Sequence, residues 1–141
     1  MTESRPEPFP QPTITAQRAL CAIEINHPEK LPAAYAALCH ALWVEGKTVN
    51  KPDVIAPALQ KVFSEEEVKT IMRQAGEAEA KKRLNDNGAK ALESGAFGLP
   101  WFVAENSEGK VETFWGVDHL GQVLEHLGLD RKKEEGFRSL L

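Results

Sequence analysis

A chain of 141 residues, 42% of them apolar, is sized for one ordinary core and reads as a single soluble domain. Its 17 basic and 21 acidic side chains leave a net charge of -4, with no basic stripe to grip phosphates, so nucleic acid is not an expected partner. No apolar run approaches the roughly 18 residues of a membrane span and no positive start precedes an apolar segment, so no membrane contact is expected and the chain as written reads as cytoplasmic.

The first twelve residues, MTESRPEPFPQP, hold four prolines and no periodic pattern, and read as an extended arm. Residues 13–94 then read as helical. Thr13 is placed to cap a first helix with Ala16, Ala19, Leu20 and Ile23 at helical spacing, widened by Cys21 and Ala22 and ended by Asn26-His27-Pro28. A second helix over about 28–45 carries Leu31, Ala34, Tyr35, Leu38, Ala41 and Leu42 on one face, and the short link makes the two an antiparallel pair. Lys51-Pro52-Asp53 opens a third, with Val54, Ile55, Leu59 and Val62. Ser64-Glu65-Glu66-Glu67 is a capping box that starts a fourth, running to about Gly76. A fifth covers roughly 77–94, with Asn85-Asp86-Asn87-Gly88 as a possible break and Gly95 as its stop.

At residue 95 the pattern changes. Trp101-Phe102-Val103-Ala104 and Val111-Glu112-Thr113-Phe114-Trp115 are β-rich runs joined by a glycine-containing loop, which predicts a hairpin. After Gly116 a last helix carries Val117, Leu120, Val123, Leu124 and Leu127 and stops at Gly128, leaving 129–141 as a charged tail. Cys21 and Cys39 both fall on apolar helical faces and are expected to be reduced packing residues. His27, His40, His119 and His126 show no metal spacing, so no metal is expected.

Three stretches, RALCAIEINHPEKL, GAFGLPWF and FWGVDHL, carry a resemblance over about residues 17–128 to the kappa class of glutathione transferases, a DsbA-like thioredoxin family that also includes 2-hydroxychromene-2-carboxylate isomerases. The first resembles that family's helical insertion, the second its cis-proline loop, and the third its last strand-to-helix turn. The resemblance implies an α+β, mostly helical fold: a helical insertion plus the C-terminal hairpin and helix of a thioredoxin-like fold, with the sheet incomplete. It implies glutathione as cosubstrate. Pro100 would be the cis proline, and Leu99 would pair its backbone with the cysteinyl part of glutathione as an added strand does; the alternative is a trans proline that only opens an edge strand. Val117, Asp118 and His119 would meet the γ-glutamyl end, amides toward its carboxylate and Asp118 toward its ammonium. Asp118 could equally serve the last helix with no ligand present.

The family's reactive serine, at a helix start in a preceding strand–helix segment, has no match here, so the catalytic residue is unassigned and activity of this chain alone is uncertain. Ser4, Ser64, Ser94 and Ser107 stand in other contexts. The resemblance further leads to the expectation that two copies pair through the strand edge at Trp101, Phe102 and Val103, or that another chain covers it. Trp101, Phe114 and Trp115 read as hairpin packing. Two other readings stay open: a noncatalytic dimerisation or binding module, and a small-molecule isomerase or cyclase with a pocket between helices formed by Tyr35, His40 and Trp43. Kappa relatives also occur in mitochondria and peroxisomes, but neither the acidic N-terminal stretch nor Ser139-Leu140-Leu141 matches the usual signals.

Overall fold

A computed structural model describes residues 10–130; most of the proline-rich arm, with Ser4, and nearly all of the charged tail, with Ser139-Leu140-Leu141, lie outside them. The chain forms two compact units, one up to Asp86 and one from Asn87. The division falls inside the fifth helix, not at its end.

Among the described residues the first unit contains helices and no strand. α1 (Ile14–Asn26) packs on α2 (Leu31–Trp43) and α4 (Glu65–Gln74), and α3 (Pro52–Leu59) packs on α2 and α4. Its core collects the apolar positions that the periodicity marks, with Ile23, Ile55, Leu59 and Ile71 almost fully buried and Ala19, Ala34 and Ala41 letting the backbones approach. The capping box forms as expected: Ser64 N–H donates to Glu67 Oε2 at 2.7 Å, and the Glu67 N–H donates to Ser64 Oγ at 3.3 Å. Lys30 closes the same corner, 3.2 Å from Glu67 Oε1 and 4.7 Å from the centre of the Phe63 ring.

Several local expectations need correction. The Thr13 hydroxyl does not cap α1; it accepts from the Gln17 side-chain amide at 2.7 Å. Residues 28–30 form a 3-10 turn, so α2 begins at Leu31. Tyr35 leaves the apolar face and points outward, and Cys39 is half-buried, whereas Cys21 is buried. α5 runs unbroken over Ala78–Glu93, because Asn85, Asn87 and Gly88 cost helix propensity without supplying a competing turn.

In the second unit β1 (Trp101–Glu105) pairs antiparallel with β2 (Val111–Trp115), in the register Trp101↔Trp115 to Glu105↔Val111. Asn106 organises the loop, its Oδ1 accepting from the N–H groups of Glu108 and Lys110 at 3.0 and 2.9 Å. A 3-10 turn at Val117–His119 leads into α6 (Leu120–His126), which packs on both strands. Val123 and Leu124 are buried, while Val117 faces outward and does not join the stripe. Among the described residues no helix is long and apolar enough to cross a membrane.

Candidate functional site

The second unit brings two separated segments of the sequence to one end of its hairpin. The residues before β1 and those after β2 must meet there, because Trp101 and Trp115 are partners in the register. One further ladder-like bond extends the pairing: Gly116 N–H donates to the Pro100 carbonyl at 3.0 Å. The Leu99–Pro100 peptide bond is cis, as the resemblance led one to expect. Leu99 is 83% exposed, and its backbone makes no hydrogen bond within the described residues, so an N–H and a C=O stand available beside the strand.

Glycine is required at both ends of this arrangement. Gly98 lies against the Trp115 indole so closely that an added Cβ would sit 2.5 Å from Nε1. Gly116 has φ 88 and ψ 152, a region that side chains rarely enter, and a Cβ there would overlap the Asp118 carboxylate. The Asp118 carboxylate therefore folds back over the turn that carries it.

Asp118 is 78% exposed at its side chain, with Oδ1 3.4 Å from His119 Nδ1. That separation suits an ion pair when the imidazole is protonated, yet Nδ1 makes no directed hydrogen bond and is itself shielded from solvent. The backbone N–H groups of Val117 and Asp118 also make no hydrogen bond within the described residues. The turn thus offers two amide donors, a carboxylate and an imidazole nitrogen in three consecutive residues.

Two features were not visible in the sequence pattern. Phe97, largely exposed, joins the indoles of Trp101 and Trp115 at ring-centre distances of 5.4 and 5.1 Å, so these aromatics form a cluster beside Leu99. Trp115 remains partly exposed, and only Phe114 behaves as ordinary packing, against the His126 ring at 5.9 Å. His126 is the second feature. Its Nε2 lies 3.1 Å from the Ala104 carbonyl and 3.0 Å from that of Lys110, and Nδ1 lies 3.6 Å from Glu112. Both neighbours of Nε2 are acceptors, so Nε2 carries a proton and ties α6 to β1 and to the hairpin loop just before β2. Glu112 is held below its ordinary range by Lys110 first, and by His126 more weakly. A histidine at the end of a short helix before Gly128 gave no signal of this in the sequence.

The remaining candidates fall elsewhere. Ser64 is consumed by its capping box and Ser94 donates to the Ala91 carbonyl at 2.7 Å. Among the described residues no cluster of three potential metal ligands occurs. Tyr35, His40 and Trp43 all face outward on α2. A hydrogen bond with Cys39 raises the Tyr35 phenol above its ordinary pKa, followed by the charge and burial effects there, which is the wrong direction for a base. None of the three lines the small cleft bounded by Ala22, Asn26, Gln74 and Glu77. At the strand edge, Val103 is exposed while Trp101 and Phe102 are half-buried.

Residues 5–128 match a family described as a DSBA-like thioredoxin domain. The chain is 29% identical over 116 residues to the human protein "Glutathione S-transferase kappa 1", covering 82% of this chain and 50% of that one. The rat protein of the same name is 26% identical over 109 residues, 77% of this chain and 48% of its own length. The chain therefore spans about half the length of these curated relatives. With helices followed by a cis-proline loop, a hairpin and a final helix, and with a matched region covering most of its length, the chain belongs to the DsbA-like thioredoxin family, among the relatives of kappa-class glutathione transferases.

Proposed function

We propose that this chain carries a glutathione-binding surface of a kappa-type transferase or oxidoreductase. The observation that carries the reading is the Gly116 N–H to Pro100 carbonyl bond, because it holds the Leu99 backbone and the 117–119 turn at the same end of one hairpin. The cysteinyl part of glutathione would extend along Leu99, receiving its N–H and donating to its C=O as an added strand does. The γ-glutamyl carboxylate would accept from the Val117 and Asp118 amides, and its ammonium would lie against the Asp118 carboxylate. His119 Nδ1, shielded and without a directed partner, adds a polar group beside that carboxylate.

Bound in this way, glutathione would present its thiol next to Leu99. In a transferase the thiolate attacks an electrophile, and in an oxidoreductase it exchanges with a disulfide. No described residue is placed to activate the thiol. The surface binds and orients glutathione, which supplies the positional share of catalysis.

Calorimetric titration of the full chain with glutathione tests the reading, beside Asp118→Ala. Saturable binding is expected, weakened about tenfold or more in the variant through loss of a charge-assisted contact. Absence of binding at millimolar glutathione, or binding indifferent to Asp118, would contradict it.

A further inference from the structure

The 117–119 turn runs straight into α6, and no side chain caps the start of either. A helix of seven residues does not persist by its own backbone bonds, so its seat on the hairpin is set by side chains. Val123 and Leu124 supply buried apolar area. Direction comes from the opposite end: among the described residues, the side-chain hydrogen bonds from α6 to the hairpin are those of His126. Its side chain is only 7% exposed. The Nε2–H is shared between the carbonyls of Ala104 in β1 and Lys110 in the loop, the ring lies against Phe114, and Nδ1 faces Glu112. The Lys110 carbonyl also accepts from the Asn106 N–H at 3.0 Å, so the imidazole joins the contact that closes the hairpin loop.

We propose that His126 is a positioning residue for the glutathione turn: by pinning the far end of α6 to the loop end of the hairpin, it fixes where Val117, Asp118 and His119 stand relative to Leu99 at the other end. What the turn binds rests on the reading above. The turn is then held from two sides, by the Gly116 N–H on the Pro100 carbonyl and, through the helix, by His126. The lever is short and stiff. From Val117 to His126 the 3-10 turn and α6 span on the order of 15 Å, so a tilt of about 10° at the His126 end displaces the turn by about 2–3 Å. A shift of that size exceeds the tolerance of a hydrogen bond, whose donor and acceptor must lie within about 2.7–3.2 Å. Apolar contact at Val123 and Leu124 has no direction and fixes no tilt, whereas an N–H shared between carbonyls on two segments does.

Amide hydrogen exchange and glutathione calorimetry on the full chain test this with two variants. His126→Leu keeps bulk and loses the donor; His126→Gln keeps an amide nitrogen that reaches about as far as Nε2. In the free chain His126→Leu is expected to speed exchange at residues 117–120 about tenfold, with α1 to α4 unchanged, and to weaken glutathione binding about fivefold or more. His126→Gln is expected to stay within about twofold of wild type on both readouts. If His126→Leu loses the protection of the hairpin itself, His126→Asn, whose amide stops short of the two carbonyls, takes its place in the comparison with His126→Gln. Unchanged exchange at the turn in His126→Leu, or equal damage in His126→Gln, would overturn the proposal. Exchange that follows the proposal while no chain, wild type included, binds glutathione would uphold the His126 link and overturn the glutathione reading instead.

Discussion

Among the described residues, the chain up to Asp86 buries Ile23, Ile55, Leu59 and Ile71 almost completely, together with fourteen smaller or less enclosed apolar residues, whereas from Asn87 the buried apolar residues are Ala104, Val123 and Leu124. The first unit is stabilised by area removed from water. The second is held by particular contacts: a strand register, the Gly116 turn, the Asn106 loop and the His126 ties to two carbonyls. The candidate site sits in the unit with the smaller core. Its backbone donors and acceptors stay available because the chain there is turn and loop.

The comparison breaks most sharply in the helical core. Ile55→Ala removes a side chain with no exposure and is expected to cost about 2–5 kcal/mol in urea unfolding followed by circular dichroism. A loss below 1 kcal/mol would mean that the helical unit is not the stabilising one. Gly116→Ala acts in the other unit. It forces a side chain into the positive-φ region and against the Asp118 carboxylate, costing about 1–3 kcal/mol locally. Glutathione binding should disappear, and hydrogen exchange at residues 117–120 should accelerate, while the helical core is unchanged. Unaltered binding would remove the turn from the site.

A smaller effect tests the boundary of α4. Ser64→Ala loses the cap and should cost about 1 kcal/mol. Smaller still is a pH effect at Glu67, held down to about 2 from an ordinary 4.5 by the Ser64 backbone N–H, then the Ser64 hydroxyl, then Lys30. The folded carboxylate binds its proton more weakly than the unfolded one, so its contribution is full above about pH 4.5 and fades as the pH falls toward 2. The stability gap between wild type and Glu67→Gln should narrow over that window; a pH-independent gap would assign it to packing.

How legible each region was follows from the same difference. Helical periodicity located Ala16, Ala19, Ile23, Ile55 and Leu59 because burial in a helix repeats every three to four residues. The capping box was equally plain, since its two bonds are local. Periodicity misplaced Tyr35, however, because α2 is apolar on every side and offers no polar face to orient it. At the site, Leu99, Pro100, Val117, Asp118 and His119 came from likeness to a family, and the structure brings them to one hairpin end. Phe97 and His126 escaped because their partners lie far along the chain, across a register that no local pattern reveals.

The most direct measurement is a set of amide spectra of the isotopically labelled full chain during addition of glutathione. Saturable shifts at Leu99, Trp101, Gly116, Val117, Asp118 and His119, with α1 to α4 unmoved, are predicted. Shifts centred on α2, or none at millimolar glutathione, would contradict the assignment of the site to the hairpin end.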